Sequence, residues 1–109
     1  MSKSPIIIER LAPIHPGEVL LEDFIAGYQI SQNRLALAIG VSPRRINEIV
    51  HGKRSITANT ALRLGKFFGT NPMFWLNLQT QYDIDVEIDK LGASLESVPV
   101  ISDDRKQLV

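Results

Sequence analysis

The stretch QNRLALAIGVSPRRINEIVHGK, residues 32–53, decides the fold of this 109-residue chain. Apolar residues recur in it twice at helical spacing, and each recurrence predicts a short helix with one buried stripe. The two stripes consist of Leu35, Ala36 and Ile39, and of Ile46, Ile49 and Val50. Gly40 lies where the first helix must end, and the apolar Val41 behind it indicates a side chain inserted between the two helices. The pattern predicts a helix-turn-helix.

The second of these helices begins with a favourable cap and presents a polar face. Ser42 suits the N-cap, and Pro43 suits the first helical position, where an N–H group would have no partner in any case. The positions that stay exposed are Arg44, Arg45, Asn47, Glu48 and His51. Such side chains hydrogen-bond base edges and phosphates in the major groove, so we expect this helix to read DNA. The same pattern also fits an all-α domain whose arginines are merely solvated.

Charge divides the chain into a basic middle and an acidic end, although 12 basic and 12 acidic residues cancel overall. Residues 31–69 hold seven Lys or Arg and one acid, Glu48, whereas residues 82–104 hold one base, Lys90, and seven acids. A basic face is the electrostatic footprint of phosphate contacts, and the neutral total argues against tight non-specific binding. The acidic end fits either a basic partner protein or plain solvation.

Composition excludes several classes of protein. With 44% apolar and 22% charged residues, a chain of this length predicts one globular domain with one core. Cysteine is absent, which removes disulfides, thiolate metal sites and Cys nucleophiles. No apolar run approaches the roughly 18 residues of a membrane span, and the start MSKSPIIIER lacks the features of a signal peptide. We therefore expect a cytoplasmic protein without membrane contact.

Outside the central stretch the pattern predicts three more helices. The first covers about residues 16–26, the fourth ends near residue 69, and the fifth follows it directly. Their boundaries are marked by His15 and Pro16, by Thr57 and Gly69, and by Asn71 and Pro72. Five short helices with polar turns would make a compact bundle.

Two later segments are less regular. In residues 83–91, DIDVEIDKL, acids and apolar residues alternate as in a half-buried strand, yet Ile84, Ile88 and Leu91 match a helix. Continuity with the fifth helix favours a helix, which we predict. Residues 97–101, SVPVI, form the best strand candidate, but a lone strand needs a partner from a second copy or another protein. We expect this short C-terminal strand to support a two-fold dimer.

Candidate catalytic and metal-binding residues are few. His15 and His51 are the only histidines and have no metal-ligand spacing around them, and we expect His15 to start a helix. Trp75 and Phe74 are expected in the core rather than on a base-stacking surface. Nothing resembles a nucleophile elbow or a Gly-rich phosphate loop. We expect no enzyme, no metal and no cofactor.

Five segments, taken in order, resemble a known family. They are HPGEVLLEDF (15–24), the helix-turn-helix, INEIVHGKRSIT (46–57), TALRL (60–64) and FWLNLQTQYD (74–83). Together they resemble the HigA-type antitoxins, a branch of the XRE/Cro-like helix-turn-helix repressors. The resemblance implies an all-α, compact five-helix domain like that of lambda repressor. It also implies a homodimer that binds double-stranded palindromic operator DNA in its own promoter and neutralises a HigB-like, mRNA-cleaving toxin.

The resemblance further implies roles for individual residues. Gln32, at the start of the first motif helix, would contact a phosphate, and Lys53 and Arg54 would hold the DNA backbone. The groove-facing set would be Ser42, Pro43, Arg44, Asn47 and Glu48, to which Arg45 is added because the pattern leaves it exposed. Pro43 departs from the long polar residue that phage-type repressors often carry at this position.

We expect three parts: an N-terminal arm over residues 1–14, the DNA-binding domain over residues 15–91, and a tail over residues 92–109. Two functional classes fit them. One is a dimeric autorepressor that also binds a toxin. The other is a helix-turn-helix-shaped protein-interaction domain, or a stand-alone regulator without a toxin partner. The basic middle favours the first.

Overall fold

The computed structural model describes residues 12–101, and every regular element in that range is a helix. Helix α1 begins as Pro16–Val19 and continues as the wider π-helical turns of Leu20–Ile25. The others are α2, Gln32–Ile39; α3, Pro43–Val50; α4, Ala58–Phe68; α5, Pro72–Leu91; and α6, Ala93–Glu96. The all-α prediction is confirmed, and the single turn of α6 adds to the five predicted helices.

The helix ends form where the local chemistry predicts them. Ser42 Oγ accepts a hydrogen bond from the Arg45 N–H at 3.1 Å, and Pro43 takes the first helical position of α3. Gly40 ends α2 with φ of 77°, a left-handed conformation that glycine adopts without strain. Thr57 occupies the N-cap position of α4, but its side chain makes no capping hydrogen bond.

One apolar core lies between the first five helices. Trp75 of α5 is fully buried, and its indole Nε1 donates to the Thr70 hydroxyl at 2.9 Å, so the ring is enclosed without an unpaired donor. The core residues are Leu20, Ile25, Leu35, Ala36, Ile39, Ile46, Ile49, Val50, Ile56, Ala61, Leu64 and Trp75. Both predicted stripes are among them, and Val41 packs against the cluster as expected. Phe74 is the exception, since its ring contacts Phe24 but remains 38% exposed.

Two contacts fix α3 within this core. Gly17 of α1 lies against the end of α3 so closely that an added β-carbon would overlap the carbonyl oxygen of Ile49. The Gln79 side chain of α5 accepts a hydrogen bond from the Ile56 N–H at 2.8 Å, which holds the loop that follows α3. Helix α3 is therefore supported from α1 on one side and from α5 through its own loop.

Helix α5 has 20 residues, about 30 Å of helix, and its two halves differ. The first half buries Trp75 and Gln79, whereas Ile84, Ile88 and Leu91 in the second half are 48%, 38% and 43% exposed. The helical prediction for residues 83–91 is confirmed. None of the helices within residues 12–101 combines the length and apolarity that a membrane span requires.

The predicted arm and tail extend past the described residues, which begin at Ala12 and end at Ile101. Within that range, Val98 and Val100 are exposed and residues 97–101 pair with no strand of the same chain. The strand was expected to form only against a second copy or another protein, so it stays a prediction.

Candidate nucleic-acid interface

Helix α3 presents one polar face to solvent because its other face is locked in the core. Ile46 and Ile49 are fully buried, whereas Arg44 and Asn47 are exposed. Ser42 and Pro43 lie exposed at the start of the helix. An exposed N-terminal end with long polar side chains is the part of a recognition helix that meets base edges. The structure therefore places the predicted reader where a DNA groove could reach it.

Glu48 organises two of the predicted DNA contacts. Its Oε2 accepts a hydrogen bond from Arg44 Nε at 2.8 Å, and its Oε1 accepts one from Arg54 Nε at 2.8 Å. These two hydrogen bonds hold the pKa of the Glu48 carboxyl below its usual range, so the group is an anion at neutral pH. The same contact raises the pKa of Arg44. Two cations and one anion thus form a single cluster beside the groove-facing surface.

Arg45 differs from its neighbour Arg44. Its side chain is half-buried, and its Nη1 donates to Asn59 Oδ1 at 2.9 Å and to Thr60 Oγ1 at 3.4 Å, both at the start of α4. Sequence reasoning treated the two arginines alike, but Arg45 joins α3 to α4. Its guanidinium has further N–H groups that could still meet a phosphate.

Gln32 and Asn47 lie together, although 15 residues separate them in the chain. The Asn47 amide donates to Gln32 Oε1 at 3.4 Å, so the N-terminal end of α2 sits beside the middle of α3. Ser31 caps α2 by accepting from the Arg34 N–H at 3.0 Å. A helix N-terminus with an amide side chain suits a phosphate, which agrees with the role expected for Gln32.

The loop after α3 turns at Gly52, whose φ of 74° is left-handed. Lys53 and Arg54 follow it and are exposed. The His51 ring Nδ1 lies 2.8 Å from the Asn47 carbonyl oxygen, close enough for the ring N–H to donate to it. Two basic side chains thus lie beside the end of α3, as the expected backbone contacts require.

Sequence reasoning missed Asn59 and Arg63 on α4. Arg63 Nη1 donates to the Ile39 carbonyl at 2.8 Å, and its Nε donates to Asn59 Oδ1 at 3.0 Å, next to the Arg45 contact. Arg63 therefore closes the C-terminal end of α2, where carbonyls lack helical partners. Their spacing of four along a helix was the available signal.

Histidine plays a structural role at the other end of the domain. His15 is the N-cap of α1, as expected, and its Nδ1 accepts from the Gly17 N–H at 2.9 Å. Burial lowers the pKa of His15, although Asp83 and Glu18 act in the opposite direction. Within the described range, no group of three or more His, Asp or Glu side chains is placed to hold a metal ion.

Comparisons with known proteins converge on one family. A helix-turn-helix family model matches residues 28–75. Virulence-associated protein I of Dichelobacter nodosus is 47% identical over 97 residues, 88% of this chain and 89% of that protein. A solved HigA-family addiction-module antidote protein from Coxiella burnetii is 47% identical, with a TM-score of 0.79 over 84% of this chain and all of that one. The Pseudomonas aeruginosa antitoxin HigA, solved with the higBA promoter, is 40% identical, with a TM-score of 0.77 over 81% of this chain and 96% of that one.

Proposed function

The chain belongs to the HigA family of helix-turn-helix antitoxins, and on that premise we propose that it is a dimeric, sequence-specific DNA-binding autorepressor that also neutralises an mRNA-cleaving toxin. The observation that carries the DNA-binding part is the placement of α3, with its apolar stripe buried and its polar side exposed. We assign it no catalytic role, no metal and no cofactor. We propose that it works in the cytoplasm, where operator DNA and mRNA are both found.

The contacts we propose divide into two kinds. Arg44 and Asn47, which extend from the exposed face of α3, read base edges in the major groove, and Ser42, Pro43 and Glu48 lie at the border of that reading surface. Gln32, Lys53 and Arg54 surround α3 and hold phosphates. Arg45 supports α3 from α4 and adds a phosphate contact.

Dimerisation is the second element of the proposal. A two-fold dimer sets two recognition helices about one DNA turn apart, which matches a palindromic operator. We place part of its interface on the tail, residues 92–109, because Val98 and Val100 are exposed there and have no strand partner within the described chain.

The second half of α5 is the surface we propose for the toxin. It exposes Ile84 and Ile88 next to Asp83 and Glu87, which joins an apolar contact area to negative charge. A nuclease that acts on mRNA needs a positive face to hold its substrate, and an inhibitor with an opposite charge associates with it faster.

A salt-titrated binding assay tests the DNA-binding part. The full-length protein is titrated against the DNA upstream of its own gene and against a shuffled duplex of the same length. We expect a clear preference for the upstream DNA and an affinity that falls steeply with salt, by about 0.9 in log–log slope for each phosphate contacted. Equal affinities for the two duplexes would exclude a sequence-specific repressor and leave the protein-interaction domain as the function.

The toxin part has its own test. A short basic reading frame beside this gene would encode the partner, and its product should copurify with this chain. If no such reading frame lies beside the gene, the protein would be a stand-alone regulator without a toxin partner.

A further inference from the structure

Glu48 has both carboxylate oxygens engaged by arginines that the DNA would otherwise use. Oε2 bonds Arg44, and Oε1 bonds Arg54 through both Nε and Nη2, each at 2.8 Å. The Glu48 side chain is only 24% exposed, whereas Arg44 and Arg54 are 83% and 46% exposed. The two guanidinium groups therefore remain accessible to DNA while the less exposed Glu48 carboxylate holds them.

A phosphate that approaches either arginine has to compete with this carboxylate. Glu48 holds the Nε of Arg44 and the Nε and Nη2 of Arg54, so a phosphate must either displace the carboxylate or use the remaining N–H groups of each guanidinium. The Glu48 anion also repels the phosphate directly. Each complex that rests on phosphate contacts alone therefore loses affinity because Glu48 is present.

A cognate operator compensates for this loss in a way that random DNA cannot. On the operator, Arg44 can hydrogen-bond a base edge through its terminal nitrogens while its Nε stays on Glu48. Random DNA presents base edges too, but not in the arrangement that these nitrogens match, so its complex rests mainly on phosphate contacts. The same ion-pair cluster thus weakens the two kinds of complex unequally.

We propose that Glu48 is a specificity-determining positioning residue that suppresses random-DNA binding by holding Arg44 and Arg54, rather than by reading a base itself. The inference rests on the proposed DNA-binding function and adds to it a mechanism for the ratio of operator to random affinity. Arg45 is the internal contrast, because its side chain donates hydrogen bonds to the neutral Asn59 and Thr60.

The primary experiment compares Glu48→Gln with the wild-type protein on the two duplexes. Glutamine keeps the size of the side chain and removes its charge. We expect affinity for random DNA to rise roughly three- to tenfold at about 0.1 M salt, since two exposed ion pairs are lost, with a salt dependence steeper by about one in log–log slope. Operator affinity should change less, so the specificity ratio falls. The melting temperature should stay close to that of the wild type, because these pairs lie at the surface.

A matched control separates the local effect from net charge. Glu22→Gln on α1 removes one negative charge from an exposed side chain, far from the Arg44 cluster in the chain. We expect it to leave random-DNA affinity nearly unchanged. An increase equal to that of Glu48→Gln would overturn the proposal, because net charge alone would then explain the effect.

A double-mutant cycle tests whether Glu48 acts through the arginines. In an Arg44→Ala, Arg54→Ala background, Glu48→Gln should raise random-DNA affinity much less, because only the direct repulsion of the phosphate is then removed. A rise of the same size in that background would contradict the proposal. So would a loss of operator affinity with random binding unchanged, which identifies a base-reading glutamate. The wild-type preference for upstream DNA, measured first, tests the proposed function independently of these variants.

Discussion

Helix α3 and the second half of α5 are both amphipathic, yet within residues 12–101 only α3 has its apolar stripe covered. In α3 the apolar stripe is buried, and the opposite face exposes Arg44 and Asn47. In α5 the stripe of Ile84 and Ile88 stays exposed, and acids flank it. Helical periodicity therefore identifies a face that needs burial without identifying what buries it. In the described part of the chain, α3 exposes only its polar face, whereas the end of α5 exposes an apolar stripe as well.

The largest expected effect comes from removing one apolar side chain from each half of α5, since only the first half is buried in the core. Trp75→Ala should destabilise the domain by about 3–5 kcal/mol, because a fully buried indole leaves a cavity and an unpaired Thr70 hydroxyl. Ile88→Ser, in the exposed half, should change stability by about 0.5 kcal/mol or less. Urea unfolding of both variants measures the difference, and equal losses would mean that the second half of α5 is packed in solution.

Deletion of residues 96–109 tests whether the tail supports dimerisation. We expect the truncated protein to shift toward monomer. Operator affinity should fall by about 10²-fold or more, since two linked half-site contacts bind far more tightly than independent ones. Analytical ultracentrifugation gives the mass directly. An unchanged dimer would place the interface on the helices of the described domain instead.

Two neighbouring arginines, Arg44 and Arg45, allow the polar face of α3 to be tested as the DNA-reading surface. Arg44→Ala should weaken operator binding by about 1–3 kcal/mol and leave the melting temperature unchanged. Arg45→Ala should weaken it too, mainly by flattening the salt dependence, and should also lower the melting temperature because Asn59 and Thr60 each lose a hydrogen bond. Fluorescence anisotropy and thermal unfolding of both variants separate the roles. If both bind as tightly as wild type, α3 is not the reader.

Charge reversal tests the second half of α5 as the toxin-binding surface. Changing Asp83, Asp85, Glu87 and Asp89 to Lys should slow association with the neighbouring toxin roughly tenfold at low salt. The effect should shrink at higher salt, where screening reduces the electrostatic reach to about 8 Å or below. Stopped-flow association rates provide the measurement, with Lys90→Ala as a single-charge control on the same helix. Rates that stay the same at low salt would assign these acids to solubility alone.

The smallest expected effect comes from His15. Its ring lies close to Gly52, which follows α3, and contacts the Tyr82 ring of α5 at a centroid distance of 4.8 Å. Its pKa is lowered on folding, so the unfolded chain binds the proton more tightly. The stabilising contribution of neutral His15 is therefore complete above about pH 6.5 and is lost as the pH falls below that value. His15→Asn keeps a capping oxygen and cannot titrate, so its melting temperature should fall less between pH 7 and pH 5. Parallel profiles for the two proteins would contradict this assignment.

Local signals predicted the helices and their ends. Ser42, Pro43 and Gly40 act through hydrogen bonds and backbone angles within a few residues, so their effect can be recognised in the sequence. The helix over residues 83–91 was harder, because its alternating acids fit a strand equally well. Only its continuity with α5 and the family resemblance favoured the observed answer.

Long-range contacts could not be predicted in the same way. The difference between Arg44 and Arg45 depends on Asn59 and Thr60, which are 14 and 15 residues away from Arg45 in the chain. The Arg44–Glu48 pair has the i, i+4 spacing of a helix, but the approach of Arg54 to the same carboxylate requires the turn at Gly52. The sequence identified the candidate interface, whereas its internal pairing depends on how the helices pack.

The close approach of Gly17 to Ile49 also limits how the protein can adjust to a ligand. No side chain separates the backbone of α1 from that of α3, so neither helix can move toward the other. A ligand that displaces the start of α1 toward α3 would therefore move α3 with it. On the proposed function, we expect operator recognition to depend on how whole domains are spaced and tilted on the DNA.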